Sequence, residues 1–239
     1  MLQRVLETLL SSSSIGRVFL SGPVRDKLER QEGINKLIRS GKVSWSPPLE
    51  SPSSSAYQSL SRLDAEQRTL LTTADHPLLT PEIVDDFCTK SAAVDADLVI
   101  GLAPYSLVRV AFPEMKKTIL RFRGLELCGC NLFAFMTSAG REGASFWRRI
   151  ESQRKSPLRV IQSMGWFTVI KYLLGLLSLD EALDTFSRRL GLTVRAVILP
   201  YADAAVDVDS VSDYRLVQAR FDNPAPDRAL NSPYSVNVE

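Results

Sequence analysis

The sequence predicts an α/β protein built on a mainly parallel sheet with helices on both faces. Two observations carry this reading. Short β-type apolar runs alternate with stretches of helical periodicity along most of the chain, the pattern of strands returning in one direction through crossover helices. The length, 239 residues of which 45% are hydrophobic, suffices for one sizeable core, so a single domain over 1–239 is expected.

The elements follow in order. Leu2, Val5, Leu6, Leu9 and Leu10 recur at helical spacing, and the serines from Ser11 to Ser14 with Gly16 end that helix before a strand from Arg17 to Leu20. After Ser21-Gly22-Pro23 a polar helical stretch runs to about Ser40. The Ser/Pro-rich segment from Trp45 to Ser55 has turn chemistry without periodicity and is expected to be a loop. Ala56 to Leu63 is helical, and Thr69 to Thr73 is a strand ending in Ala74-Asp75-His76-Pro77. Thr80-Pro81-Glu82 then gives an N-cap, a proline at the first helical position and an acidic first turn, so a helix starts there. Strands are predicted at Asp97 to Leu102, Thr118 to Phe122, Leu127 to Phe135 and Thr193 to Leu199, and helices around 142–155, 160–177 and 179–190.

Composition narrows the function. Twenty-nine basic and 27 acidic residues leave a formal charge of +2, too balanced for a protein that coats nucleic acid. Any anion site is therefore local. Three cysteines, Cys88, Cys128 and Cys130, sit in apolar stretches and read as buried reduced thiols, which favours the cytoplasm. Met1 to Leu10 carries no cleavage signal. The most apolar run, Trp166 to Leu179, is about 14 residues with Lys171 inside it, whereas a bilayer span takes about 20, so contact with a membrane surface stays open but spanning does not.

Chemistry concentrates in two segments. Leu71-Thr-Thr-Ala-Asp75-His-Pro-Leu-Leu79 delivers a carboxylate at a strand end, where ligands bind in parallel sheets. Asp75 there is suited to hold Mg²⁺ against phosphate oxygens, or simply to satisfy backbone N–H groups of the turn. In Val206-Asp207-Val208-Asp209-Ser210, alternation puts Asp207 and Asp209 on one side of an extended segment, suited to a divalent ion or to a helix cap with a solvated charge beside it. His76, the only histidine, follows Asp75 directly and is a candidate phosphate contact. Lys116 and Lys117, near a predicted strand start, are placed to contact phosphate, against the plainer reading of solvated lysines. Arg141, Arg148, Arg149, Arg154, Lys155 and Arg159 form a basic cluster with Phe146 and Trp147. Arg148, Arg154 and Lys155 are the candidates in it for a phosphorylated ligand, against the plainer reading of a solvated helix face paired with Glu142 and Glu151.

Thr73-Ala-Asp75-His-Pro-Leu-Leu79 resembles the metal-binding Asp motif of the NTP-transferase superfamily that includes the molybdenum-cofactor nucleotidyltransferases. Asp207-Val-Asp209-Ser210 with Asp213 is similar to its late D-[IV]-D-T-x-x-D segment. Between them, Cys128-Gly129-Cys130-Asn131-Leu132 resembles the strand that contacts the acceptor, with Asn131 and Gly129 as the implied contacts, although the glycine that should follow the asparagine is absent. The resemblance runs from Met1 to about Arg220 and implies a Rossmann-like, nucleotide-diphospho-sugar-transferase-like (GT-A-like) fold. The implied activity is Mg²⁺-dependent transfer of a nucleotidyl group from CTP or GTP to a small acceptor, with Asp75 and Asp207 catalytic and Asp75, Asp207 and Asp209 as metal ligands.

One departure bears on that activity. Relatives in the superfamily open with a strand and a glycine-rich loop ending in an arginine and a proline-lysine pair, which bind the nucleotide phosphates. Neither Ser21-Gly22-Pro23 nor Gly33 has that spacing or the lysine. The expectation is an N-terminally truncated domain with unpaired sheet edges, or else an inactive nucleotide-binding module or partner subunit.

Overall fold

The computed structural model describes residues 1–64, 66–144 and 166–222. Helices α1 (Leu2–Ser11), α2 (Arg25–Glu29), α3 (Glu32–Arg39), α4 (Pro52–Ser61), α5 (Pro81–Ala92), α6 (Tyr105–Ala111), α7 (Trp166–Leu173), α8 (Leu179–Leu190) and α9 (Val211–Asp222) are interspersed with strands β1 (Val18–Ser21), β2 (Val43–Ser46), β3 (Thr69–Thr72), β4 (Leu98–Pro104), β5 (Leu120–Phe122), β6 (Leu125–Phe135) and β7 (Val194–Ile198). Residues 138–144 are also helical.

Two sheets form. β1 and β2 pair in parallel, and a five-stranded sheet runs β3-β6-β4-β7 with β5 on β6. β4 and β7 are parallel, while β6 runs antiparallel to β3, β4 and β5. β3, β4 and β7 thus share one direction and β6 opposes them, so the sheet is mixed at its centre and mostly parallel in strand count, as in the predicted class. β5 and β6 form a hairpin across Arg123-Gly124, where Gly124 takes the positive φ of 76° that such a tight turn needs.

The alternation of side chains sorts the core into two layers. Val99, Ala103, Leu132, Ala134 and Val197 pack on one face with Ile83, Val84 and Phe87 of α5, Val108 and Phe112 of α6 and Val217 of α9. Their neighbours on the same strands turn the other way: Leu71, Leu98, Phe133 and Phe135 meet Tyr57 and Leu60 of α4, and Val194 and Ala196 meet Leu183 of α8. Helices therefore cover both faces, which is why β4 lacks an exposed side.

Three expectations are revised. Trp45 to Ser55 is not one loop: Trp45 and Ser46 close β2, and α4 begins at Pro52, with Ser51 Oγ accepting the Ser54 N–H as its N-cap. The polar stretch before Ser40 divides into α2 and α3, and Asn35 Nδ2 donates to Leu28 O across the break. The helix expected over 160–177 ends by Leu173, within the described residues. The helix expected over 142–155 lies mostly outside them.

Among the described residues β1 pairs only with β2 and β3 only with β6. Ser21 Oγ and Thr72 Oγ1, at the carboxyl ends of those two strands, are buried without hydrogen-bond partners. α1 bridges the units. Its Leu9, with Ile15 beyond it, touches both the main core and the small core around β1 and β2. Its carboxyl end is tied to α5 by Asp85, whose carboxylate accepts from Ser12 Oγ (2.6 Å), Ser13 Oγ and Ser14 N. Those hydrogen bonds, Ser12's foremost, hold Asp85 well below the ordinary carboxylate range.

A close approach fixes the far end of the sheet. Met136 N–H donates to Asp97 O (2.8 Å), and a Cβ on Gly140 would overlap that same carbonyl oxygen. Gly140→Ala is expected to cost about 1–3 kcal/mol of stability, read as a lower urea midpoint with an unchanged slope. An unshifted midpoint would show that 138–144 yields freely.

Candidate functional site

The chain leaves β3 through Thr73-Ala74 and delivers Asp75 half-buried, its Oδ1 accepting from Thr73 Oγ1 (2.5 Å). The next four residues, His76 to Leu79, are buried. α1 pins them from outside: Arg4 Nε donates to Pro77 O (2.8 Å) and Thr8 Oγ1 to Leu79 O (3.0 Å). Thr80 then caps α5, accepting the Ile83 N–H. Asp75 therefore sits on a turn fixed on both sides.

The late segment joins it through the backbone. After β7 the chain forms a 3₁₀ turn at Asp203–Ala205, buries Ala204 to Val206, and runs extended so that Val208 N–H donates to Asp75 O (3.0 Å). Asp207 and Asp75 are thus neighbours in space although distant in sequence.

Asn131 reaches the same place by a local distortion. Between Ile100 and Leu102 of β4, the pairing on β6 skips from Phe133 to Gly129, a bulge with Asn131 inside it at φ 49°. Left-handed backbone is tolerable for asparagine, and a bulge re-aims the side chain it carries. Asn131 Nδ2 lies 2.9 Å from His76 Nε2. His76 is fully buried, and its Nδ1 has no partner. Burial lowers its pKa and Lys117 adds to that, against the raising pull of the Asp75 and Asp207 carboxylates, so the ring is neutral at neutral pH.

Lys117 completes the cluster and overturns its reading as a solvated lysine. Lys116 is exposed, but the Lys117 side chain is only 8% exposed and its ammonium is paired with Asp207 Oδ1. Burial raises the Asp207 pKa, and the hydrogen bond and charge of Lys117 more than offset this, leaving it below the usual carboxylate value. Asp207 is therefore ionised at neutral pH.

The structure brings together Asp75, His76, Asn131 and Asp207 from the predicted set. His76, read as a phosphate contact, is instead enclosed and supports Asn131. Gly129 is exposed with open space above its Cα, so backbone is accessible there. Asp209 is not drawn into the cluster. It faces solvent, and its N–H donates to Asp213 Oδ2. Ser210 and Asp213 cap α9 reciprocally, Asp213 N–H to Ser210 Oγ and Ser210 N–H to Asp213 Oδ2. Arg141 is buried and donates to the carbonyls of Leu63 and Asp64, which precede β3 and so lie at the end of the strand away from Asp75. Arg148, Arg149, Arg154, Lys155, Arg159, Phe146 and Trp147 lie outside the described residues.

Asp75 and Asp207 are the two carboxylates that the β3 turn and the late segment bring near each other. Among the described residues no group of three or more His, Cys, Asp or Glu is placed to hold a metal. Mg²⁺, however, keeps several waters and takes one or two carboxylates plus phosphate oxygens rather than an all-protein cage. None of the described helices is long and apolar enough to cross a membrane.

The fold is thus α/β, with a polar cluster of carboxylates, amide and ammonium gathered at the carboxyl end of β3. Comparison with known proteins makes this specific. The family model of the MobA-like NTP transferase domain matches residues 1–113. A hypothetical transferase from Thermus thermophilus is similar at 30% identity over 89% of this chain and 85% of its own, with a TM-score of 0.74. The fold is shared with 4-diphosphocytidyl-2C-methyl-D-erythritol synthase from Anaerococcus prevotii, at 14% identity over 92% of this chain and 85% of that one, TM-score 0.53. It is also shared with CMP:2-keto-3-deoxy-manno-octonic acid synthetase complexed with CTP, at 11% identity over 94% and 88%, TM-score 0.54. A search of the curated proteins gave no match. The chain belongs to the MobA-like NTP-transferase family, a family of nucleotidyltransferases.

Proposed function

We propose that the chain is one nucleotidyltransferase domain that moves a nucleoside monophosphate from CTP or GTP to a small, phosphorylated or hydroxylated acceptor, releasing pyrophosphate. The observation that carries this is the meeting of Asp75 and Asp207 through the Val208 N–H to Asp75 O bond. Family membership supports the reaction class, and the solved synthetase complexed with CTP supports a nucleoside triphosphate as the donor.

In this reading Asp75 and Asp207 hold Mg²⁺, which supplies charge neutralisation at the α-phosphate. Asn131, fixed by the bulge and by His76, hydrogen-bonds the acceptor, and the open backbone at Gly129 lets it approach. An acceptor oxygen bonds to the α-phosphorus, the bond from that phosphorus to the bridging oxygen breaks, and pyrophosphate leaves with the electron pair. The acceptor's proton passes to solvent. Catalysis is then mostly positioning. Arg148, Arg154 and Lys155 remain candidates for the acceptor's phosphate. Reduced Cys88, Cys128 and Cys130 accord with a cytoplasmic site of action, and burial pushes the Cys88 thiol up to about 11.

The other expectation from the sequence, an inactive nucleotide-binding module, differs in its outcome: nucleotide binding without transfer. Calorimetry with CTP, GTP, ATP and UTP, with and without Mg²⁺, separates the readings when paired with pyrophosphate release against a panel of small phosphorylated acceptors. It is run on this chain and on a version extended by any upstream coding sequence. Mg²⁺-dependent binding of one triphosphate with pyrophosphate release is the expected result. Binding without release supports the module, and no binding by either form overturns both readings.

A further inference from the structure

Lys117 stands out because burial of an ammonium is costly unless it serves a partner, and nothing in its sequence context asks for it to be buried. It comes from the extended segment between α6 and β5, crosses to Asp207, and uses one oxygen of that carboxylate. The ammonium is thus set directly against one of the two carboxylates, Asp75 and Asp207, that the cluster offers an incoming divalent cation.

Resting on the reading of Asp75 and Asp207 as a cation site, we infer that Lys117 is a built-in counter-cation. It aims and neutralises Asp207 while the site is empty and keeps the site's affinity for a free divalent cation low, so that firm cation binding waits for the negative charge of nucleotide phosphates. The argument is electrostatic. Two carboxylates alone would attract a divalent ion from solution. A fixed positive charge on one of them repels that ion and occupies one of its oxygens. Phosphates of an arriving triphosphate restore the missing negative charge, so the cation enters as part of a complex. The second consequence is positional. Asp207 is half-buried, and its bond to Lys117 fixes the orientation of its carboxylate.

The test uses Mn²⁺ as the probe, on the intact chain without nucleotide, read by paramagnetic relaxation enhancement of water and by thermal shift. Lys117→Met keeps the length of the stem and removes the charge. Its nucleotide-free Mn²⁺ affinity is expected to rise about tenfold over the parent chain, with a larger Mn²⁺-induced rise in Tm because the bereft Asp207 gains a partner. Lys117→Arg, which keeps the charge, is expected to restore the weak parental binding, a rescue that a purely structural lysine would not predict in the same direction. Asp75→Asn in the Lys117→Met background is expected to abolish the gain. If Lys117→Met binds Mn²⁺ no more tightly than the parent, the inference falls alone. If no variant binds Mn²⁺ at all, with or without CTP or GTP, it falls together with the cation-site reading. Loss of folding in Lys117→Met, reversed by added Mn²⁺, counts in its favour, and loss that Mn²⁺ leaves unchanged counts against it.

Discussion

Asp75→Asn is expected to lower nucleotidyl transfer by about a hundredfold or more while leaving the fold intact. The magnitude follows from the several kcal/mol that a bound divalent ion contributes to charge stabilisation in phosphoryl chemistry, since about 1.4 kcal/mol corresponds to a factor of ten in rate. Asparagine matches aspartate in shape, so the hydrogen bond from Thr73 Oγ1 is retained by the amide oxygen. The link that positions the two segments is unaffected, because Val208 N–H donates to the main-chain oxygen of residue 75. The loss is therefore one of charge at the site. Asp207→Asn is a less clean change, since it also strips Lys117 of its ion pair inside a half-buried pocket and costs stability on that account. Initial rates of pyrophosphate release and the Tm, measured together for Asp75→Asn, decide the matter. A rate within threefold of the parent at unchanged Tm rules out Asp75 as a ligand in catalysis.

How much of this was readable beforehand depended on whether the cause was local. The helix at Pro81 was legible because Thr80, Pro81 and Glu82 encode a cap within three residues, and Asp75 was legible because it stands at the junction of a β-rich run and that cap. The strands that were expected hold to within a few residues, whereas β2 was missed because the Ser/Pro-rich segment that begins at Trp45 has the composition of a loop. Strand direction was not legible. β6 runs against its neighbours because the two-residue turn at Arg123-Gly124 returns the chain at once, and no crossover helix intervenes. The start of α4 was hidden because its cap and first turn, Ser51-Pro52-Ser53-Ser54, have the composition of a loop.

The site shows the same division. Asp75 and Asp207 announced themselves by composition and by resemblance, but their meeting depends on a backbone bond between segments that periodicity does not relate. The aim of Asn131 depends on a bulge, which exists only relative to the partner strand β4. Lys117 was misread because a lysine in a non-periodic segment is solvated in most proteins, and only tertiary pairing tells the exception. His76 was assigned to phosphate on sequence proximity alone. Its neighbours Pro77, Leu78 and Leu79 are apolar, which was the available signal that the chain turns inward directly after Asp75.

The core that supports this cluster is equally open to test, and Phe87→Ala carries the largest stability effect expected here. Phe87 is fully buried on the inner face of α5 and lies against β4 so closely that a Cβ on Gly101 would come within 3.3 Å of its ring. Such tight apposition leaves little slack for collapse, so truncation opens a cavity as well as forfeiting transfer free energy, and the expected cost is about 3–5 kcal/mol. Phe87→Leu, which retains most of the volume, is expected to cost less than half of that. Because α5 begins where the Asp75 turn ends, loosening it also loosens the buried His76 to Leu79 segment. Phe87→Ala is therefore expected to increase hydrogen exchange at Leu78 and Leu79 beyond the change at Leu183 of α8, which belongs to the separate cluster on the opposite face. Urea denaturation and exchange on the same variant test both halves. A cost under 1 kcal/mol, or an equal rise in exchange at both places, would detach the site from this core.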